Sequence, residues 1–287
     1  MFKTVSVIGG DLRQLTLAKM LAKDGYDVTI YGFRNYSDSS LINATDDINL
    51  ALGSDIIILP VPVSFDGINI NTPYQDDKLP CDTLIDTLNP LSLVFGGRIS
   101  EKVSQKLGER GIKHRDYMTR DELAIKNAIP TAEGAIEIAI SETPITVHNS
   151  KCLVLGYGKI GKILAKSLHS LGAKTYVVAR KYADLALIEG HGYEPLSMSE
   201  AKARLDEFDI IFNTIPALVL DGNSLIKVRD DALIIDLASK PGGVDFDLAK
   251  ELGKKVIWAL SLPGRVAPVT AGIIIKDTIT NMIDEEV

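Results

Sequence analysis

Lys151-Cys-Leu-Val-Leu155, followed at once by Gly156-Tyr-Gly158-Lys-Ile-Gly161, is the stretch that decides the fold. The residues before the first glycine form a short apolar run of strand length. Beyond the third glycine, Ile163, Leu164, Leu168 and Leu171 recur at helical spacing until Gly172 closes the pattern. Strand, glycine turn and helix in that order read as a dinucleotide-binding βα unit. Gly156 permits a tight bend, Gly158 lets backbone amides approach a pyrophosphate, and Gly161 lets helix and strand pack closely. Tyr157, Lys159 and Ile160 complete the predicted cofactor turn. The helix start behind it offers the positive end of a dipole to phosphate.

The next strand sharpens the choice of cofactor. Lys174-Thr-Tyr-Val-Val-Ala-Arg180 is β-branched and apolar, and it ends in Arg180-Lys181. An NAD-binding unit usually places an acidic residue there, about 20 residues on, to hold the ribose 2′-hydroxyl. Two cations suit a 2′-phosphate instead, so NADP is expected and NAD is the alternative. The plainer reading of Arg180 is a solvated charge at a strand end.

The chain has 287 residues, which fits two ordinary domains better than one. Its composition, 46% apolar and 24% charged, is that of a globular protein with a full core. A net charge of −7 without a basic block argues against nucleic-acid or anionic-membrane binding. No apolar run approaches the length needed to span a bilayer, and the first residues lead directly into a strand without the layout of a secretion signal. Cys81 and Cys152 have no metal spacing, so two reduced thiols in a cytoplasmic protein are expected. His114, His148, His169 and His191 are scattered, which suggests no metal site. Asp284-Glu-Glu286 reads as a solvated end.

The first half repeats the strand–helix rhythm. Strands are expected at Thr4–Ile8, 26–31, 55–59 and 91–95, with a helical stripe at Leu12, Leu15, Ala18 and Ala22. In the second half, strands are expected at 209–212, 232–235 and 255–259. Such alternation predicts an α/β fold of two Rossmann-like domains with parallel sheets covered on both faces. In the first turn, however, Asp11 and Gln14 stand where the second and third glycines should be. A carboxylate there repels a pyrophosphate, so this domain is read as a substrate domain. Residues 119–142 read as helical with a break at Pro130, so that Thr131 opens a second helix. The last helix is expected from about Thr270 to Met282 and to pack back on the first domain. The domains are then 1–128 with 270–287, and 129–269 as the cofactor domain, joined by two bridging helices that frame a ligand cleft.

Further motifs follow the strands of the second half: Asn213-Thr-Ile-Pro216, Asp236-Leu-Ala-Ser-Lys-Pro-Gly-Gly243 and Leu262-Pro-Gly-Arg-Val-Ala-Pro-Val-Thr-Ala-Gly272. Together with Val7-Ile-Gly-Gly-Asp-Leu-Arg-Gln14 and Asn127-Ala-Ile-Pro-Thr-Ala-Glu-Gly134, the set resembles the A subunit of bacterial dipicolinate synthase over nearly the whole chain. More distantly the layout looks like the two-domain D-2-hydroxyacid dehydrogenases. Those enzymes carry an Arg and a His where this chain has Ser239-Lys240 and Val269-Thr270, which puts hydroxy-acid oxidation in doubt. The synthase resemblance implies oxidation of a dihydrodipicolinate-type intermediate from the lysine pathway to pyridine-2,6-dicarboxylate, with a nicotinamide as hydride acceptor. It also implies a flavoprotein-like B subunit of the synthase as partner and a place in the mother cell of a sporulating bacterium; a homo-oligomer is expected besides. The alternatives are a dehydrogenase of another small carboxylate and a non-catalytic NADP-binding regulator.

A dianionic product needs donors at both ends. Thr131, with the free amides of a helix start, is a substrate candidate or else a simple cap. Ser239 and Lys240, at the carboxyl edge of the cofactor sheet, are candidate catalytic residues, or else part of a solvated turn. Arg265, Arg13 and Ser64 face the same choice between substrate and structure. Thr214, Pro216 and Ala238 are read as cofactor-loop residues.

Overall fold

The structure, a computed structural model, describes residues 3–36 and 43–286. The chain divides into two compact units, Met1–Ala124 with Ala267–Val287, and Ile125–Val266. In the first, strands β1 (Thr4–Ile8), β2 (Asp27–Tyr31), β3 (Ala44–Thr45), β4 (Ile56–Ile58), β5 (Leu93–Gly96) and β6 (His114–Asp116) alternate with helices. Those helices are α1 (Leu12–Lys23), α2 (Ile48–Ala51), α3 (Cys81–Thr87) and α4 (Glu101–Glu109). The sheet is parallel, in the order β3-β2-β1-β4-β5-β6. The long α5 (Asp121–Glu142) leads into the second unit.

There the strands are β7 (Lys151–Leu155), β8 (Lys174–Val178), β9 (Glu194–Leu196), β10 (Ile210–Asn213), β11 (Leu233–Asp236) and β12 (Lys255–Trp258). Between and after them run α6 (Lys159–Ser170), α7 (Tyr182–Gly190), α8 (Met198–Ala203), α9 (Gly222–Leu225), α10 (Phe246–Glu251) and α11 (Leu262–Val266). The order β12-β11-β10-β7-β8-β9 is again parallel throughout. The period-2 geometry of a strand sends Cys152 and Val154 into one core layer and Leu153 and Leu155 into the other. This is the doubly wound α/β architecture expected from the alternation, with two Rossmann-like sheets.

The last helix, α12 (Pro268–Asp284), belongs to the first unit, where it packs on α1. Gly272 makes that approach possible: a Cβ there would stand 2.5 Å from the Arg13 carbonyl oxygen and 2.8 Å from Thr16 Cβ. Its start lies two residues earlier than the sequence pattern suggests, since proline suits the first helical turn.

One boundary is corrected. Pro130 does not break the helix; it lies inside the continuous α5. A proline removes one backbone bond and crowds the preceding turn. Here tertiary packing outweighs that, because Ala128, Ala132, Ala135 and Ala139 are buried along α5. Thr131 therefore has no free first-turn amides around it. Its hydroxyl donates to the Asn127 carbonyl one turn back, at 2.7 Å. Gly134 serves packing as well, since a Cβ would come within 3.1 Å of Val266 and 3.3 Å of Leu262.

Both cysteines are free and buried. Burial pushes the Cys152 thiol up to about 11, so it stays protonated and inert. Among the described residues no helix is long and apolar enough to cross a membrane, and no cluster of His, Cys, Asp and Glu is arranged to hold a metal.

Candidate functional site

The strand order of the second unit reverses between β7 and β10, and ligands in open α/β sheets bind at the carboxyl ends of the strands at such a point. The glycine turn leaves β7 there. Gly156 has φ +104°, a left-handed conformation that favours glycine, and a Cβ on it would meet Thr214 Oγ1 at 2.6 Å. A Cβ on Gly161 would overlap the Gly156 carbonyl oxygen, so no larger residue allows α6 to sit this close to the turn. Gly158 differs from both. It caps α6 at φ −83°, ψ −161° without a side-chain hydrogen bond, and a Cβ would meet nothing within 4 Å. Space is thus open beside the Gly158 Cα at the start of α6, where a pyrophosphate cradle needs room.

Around this turn the side chains are pinned. Thr214 donates both its backbone N–H and its hydroxyl to the Leu155 carbonyl, at 3.0 and 2.9 Å. Tyr157 shares a hydrogen bond with His191 Nδ1 at 3.0 Å, and the Lys162 ammonium lies 5.2 Å from the centre of its ring. Ile160 packs against the core, Lys159 opens α6, and Pro216 is exposed in the loop after β10.

Past β8 the chain exposes Arg180 and Lys181 in succession, and Lys181 caps α7 with its backbone alone. Neither side chain has a partner among the described residues. An exposed, unpaired guanidinium is a fitting receptor for a phosphate monoester.

The loops after β10 and β11 are joined by a buried polar pair that the sequence reading passed over. Asn213 and Asp236, at the ends of those strands, are both fully buried. The Asp236 carboxylate accepts hydrogen bonds from Asn213 Nδ2 (2.8 Å), Ala238 N–H (3.0 Å) and Gly243 N–H (2.7 Å). Asn213 also donates to the Ile215 carbonyl at 3.0 Å and accepts from its N–H at 3.1 Å. A Cβ on Gly243 would overlap Asn213 Nδ2, so the glycine is required for this closure. A polar residue ending each of two Ile-rich strands was the signal available in the sequence, because a buried carboxylate must be satisfied by donors.

This bracket fixes where Ser239 and Lys240 leave the sheet. Ala238 is buried and its carbonyl accepts from Trp258 Nε1 at 3.0 Å, whereas Ser239 and Lys240 are exposed. Lys240 has no partner among the described residues. Arg265, in the last turn of α11, is likewise exposed and unpaired among the described residues.

The corresponding edge of the first unit is occupied by its own side chains. Asp11 caps α1 and forms a capping box with Gln14. Arg13 is bound to Asp11, Nε to Oδ1 at 2.9 Å and Nη2 to Oδ2 at 2.8 Å, and it donates to the Val61 carbonyl at 2.9 Å. Ser64 donates to Asp66 Oδ1 at 3.0 Å and accepts from Gly67 N–H at 2.9 Å. The Asn69 backbone and side-chain N–H groups, with that of Ile68, hold the Asp66 carboxyl well below the usual range. Arg13 and Ser64 are thus tied into local structure, and Thr131 into its helix.

Comparison with known proteins agrees with this geometry. The N-terminal domain of the dipicolinate synthase A subunit matches residues 4–118, and the shikimate/quinate 5-dehydrogenase family matches residues 137–255. The A subunit of dipicolinate synthase from Bacillus subtilis (strain 168) is 34% identical over 284 residues, 98% of this chain and 96% of its own. The chain belongs to the dipicolinate synthase A-subunit family. The crystal structure of the A subunit of dipicolinate synthase from Bacillus halodurans superposes with a TM-score of 0.88 at 34% identity, covering 98% of this chain and 97% of that one. The transhydrogenase of Sinorhizobium meliloti, 13% identical with a TM-score of 0.74 over 99% of this chain and 94% of its own, shares the fold. As a family member with a dehydrogenase-type second unit, the chain is an NAD(P)-dependent oxidoreductase that uses a nicotinamide cofactor.

Proposed function

We propose that the chain oxidises a dihydrodipicolinate-type cyclic dicarboxylate to dipicolinate, with NADP as hydride acceptor and a second, flavoprotein-like subunit completing the synthase. The observation that carries this reading is the placement of two unpaired cations. Lys240 and Arg265 follow the adjacent strands β11 and β12, on the opposite side of the switch point from Arg180. A nucleotide laid across the glycine turn with its 2′-phosphate toward Arg180, beyond β8, directs its nicotinamide toward β10 and β11. The exposed cations there suit a substrate with two carboxylates.

The bound cofactor would supply the hydride acceptor. The chain's own residues then have a positioning task. Lys240 pairs one ring carboxylate, Arg265 the other, and the Ser239 hydroxyl orients the ring through a hydrogen bond. The dihydro ring loses one hydride and one proton and becomes an aromatic pyridine, so the driving force lies within the substrate. Fixed orientation and charge neutralisation supply the catalysis. The buried Asn213–Asp236 bracket keeps the Ser239–Lys240 loop in register.

The test mixes purified chain, its second subunit, NADP and freshly generated dihydrodipicolinate, and follows absorbance of the pyridine product. Turnover is expected, and Lys240→Ala and Arg265→Ala should each lose about ten- to a hundredfold with unchanged NADP affinity, as one charge-assisted contact predicts. Cofactor binding without product, or wild-type turnover in both variants, overturns the reading.

A further inference from the structure

Trp258, the chain's single tryptophan, ends β12, where the sheet register sets it beside Asp236 at the end of β11. The two residues before it pack into the core, Ile257 against one layer of the second unit and Val256 against the other. Trp258 joins neither layer and is only partly buried. An aromatic side chain of this size gains most from full burial, so its place outside the core points to a different task.

What it touches is the Ser239–Lys240 turn, on both legs. On the outgoing leg the indole Nε1–H donates to the Ala238 carbonyl at 3.0 Å. That carbonyl shares one rigid peptide plane with the Ser239 N–H, so the bond sets the direction in which the turn leaves the sheet. On the returning leg Gly242, at φ +88°, lies against the same ring: a Cβ there would stand 3.3 Å from Trp258 Cζ2 and 2.9 Å from Phe246 Cε2. Phe246 stacks on the indole with ring centres 4.7 Å apart and planes 24° apart. The turn itself is closed by the Gly242 N–H on the Ser239 carbonyl at 2.9 Å. Asp236 takes the N–H groups of Ala238 and Gly243, and the indole takes the Ala238 carbonyl. The carboxylate thus anchors the two feet of the turn, and Trp258 sets its tilt.

We propose that Trp258 is a positioning residue for the substrate: by holding both legs of this turn it aims Ser239 and Lys240 at the dicarboxylate. This role rests on the reading that Lys240 pairs a ring carboxylate. A turn fixed before the substrate arrives avoids the ordering of a mobile lysine on binding. Because the indole sits one peptide from Ser239, its emission also reports occupancy of the turn.

Steady-state kinetics with the full chain, its second subunit and NADP test this on the wild type, Trp258→Phe, Lys240→Ala and the double variant. Phenylalanine keeps a ring against Phe246 and Gly242 but has no N–H to donate. It should lower kcat/KM for the dihydro substrate about three- to tenfold, the size of one hydrogen bond, while NADP titration reports an intact fold. In the Lys240→Ala background the same change should cost no more than about twofold, because the group it aims is gone. A merely structural tryptophan would cost the same in both backgrounds. Wild-type kinetics in Trp258→Phe, or equal losses with and without Lys240, overturn the proposal while the Lys240 reading stands. Wild-type turnover in Lys240→Ala instead removes that reading, and this role with it. A second arm titrates pyridine-2,6-dicarboxylate into the wild-type chain at saturating NADP. Trp258 emission should shift, and Lys240→Ala should abolish the shift. An indole indifferent to the dicarboxylate overturns the proposal, as does a shift that survives without Lys240.

Discussion

The two glycines that flank Lys159 and Ile160 should fail in opposite ways. At Gly158 the backbone is extended, a region open to any residue, and a side chain would enter empty space. Gly158→Val should therefore change stability by no more than about 1 kcal/mol, the size of an N-cap effect. It should nevertheless abolish cofactor binding, since its methyl groups fill the space in front of the α6 amides. At Gly161 even alanine places a Cβ on the Gly156 carbonyl, well inside the 3.0 Å that real Cβ atoms respect. Alanine gains about 1 kcal/mol of helix propensity, but forcing α6 away from the turn costs about 1–3 kcal/mol or more, as overpacking does. The clash meets backbone and not a flexible side chain, which favours the upper end of that range. A net loss of about 2 kcal/mol lowers the melting temperature by about 4–8 °C for a chain of this size. Thermal melts with and without NADP, paired with fluorescence titration, separate the outcomes. If Gly161→Ala melts like wild type, or Gly158→Val binds NADP with the wild-type dissociation constant, the assignment of packing to one glycine and phosphate to the other is refuted.

Other substitutions follow from the same geometry. Arg180→Asp should weaken NADP by one or two charge-assisted bonds, each about 1.5–3 kcal/mol, and leave NAD nearly unchanged; equal loss for both cofactors in parallel titrations would speak against a 2′-phosphate contact. Asp236→Ala strands three buried donors and should destabilise by about 3–5 kcal/mol, measured by urea unfolding; a loss below about 1 kcal/mol would show that the bracket is dispensable. Arg204 and Lys151 hold the Glu207 carboxyl at about 2, below its usual value. Its contribution is present above the unfolded carboxylate range and lost as pH falls from there toward 2, so Glu207→Gln should flatten that part of the acid-unfolding curve. A curve of unchanged slope counts against it. Thr131→Ala, whose hydroxyl only returns to its own helix, should leave NADP affinity at the wild-type value.

The α/β class and the paired parallel sheets were legible in the sequence because apolar strand runs and helical stripes are local signals. The glycine turn was equally legible, since Gly156, Gly158 and Gly161 are adjacent along the chain. Arg180 could be read for the same reason, from its fixed distance past the turn. Short edge strands such as β3 and β9 were not, because pairing with a neighbour distant in sequence makes them strands. Tertiary structure also decided Pro130, where local chemistry predicts a break and the buried alanine face of α5 holds the helix through it. It also set the contacts of Arg13 and Ser64, which hydrogen-bond to Asp11 and Asp66. Above all it brought Asn213 and Asp236 together. Each looks like an ordinary strand end until the fold buries both, and a buried carboxylate is stable only where donors from distant segments converge on it.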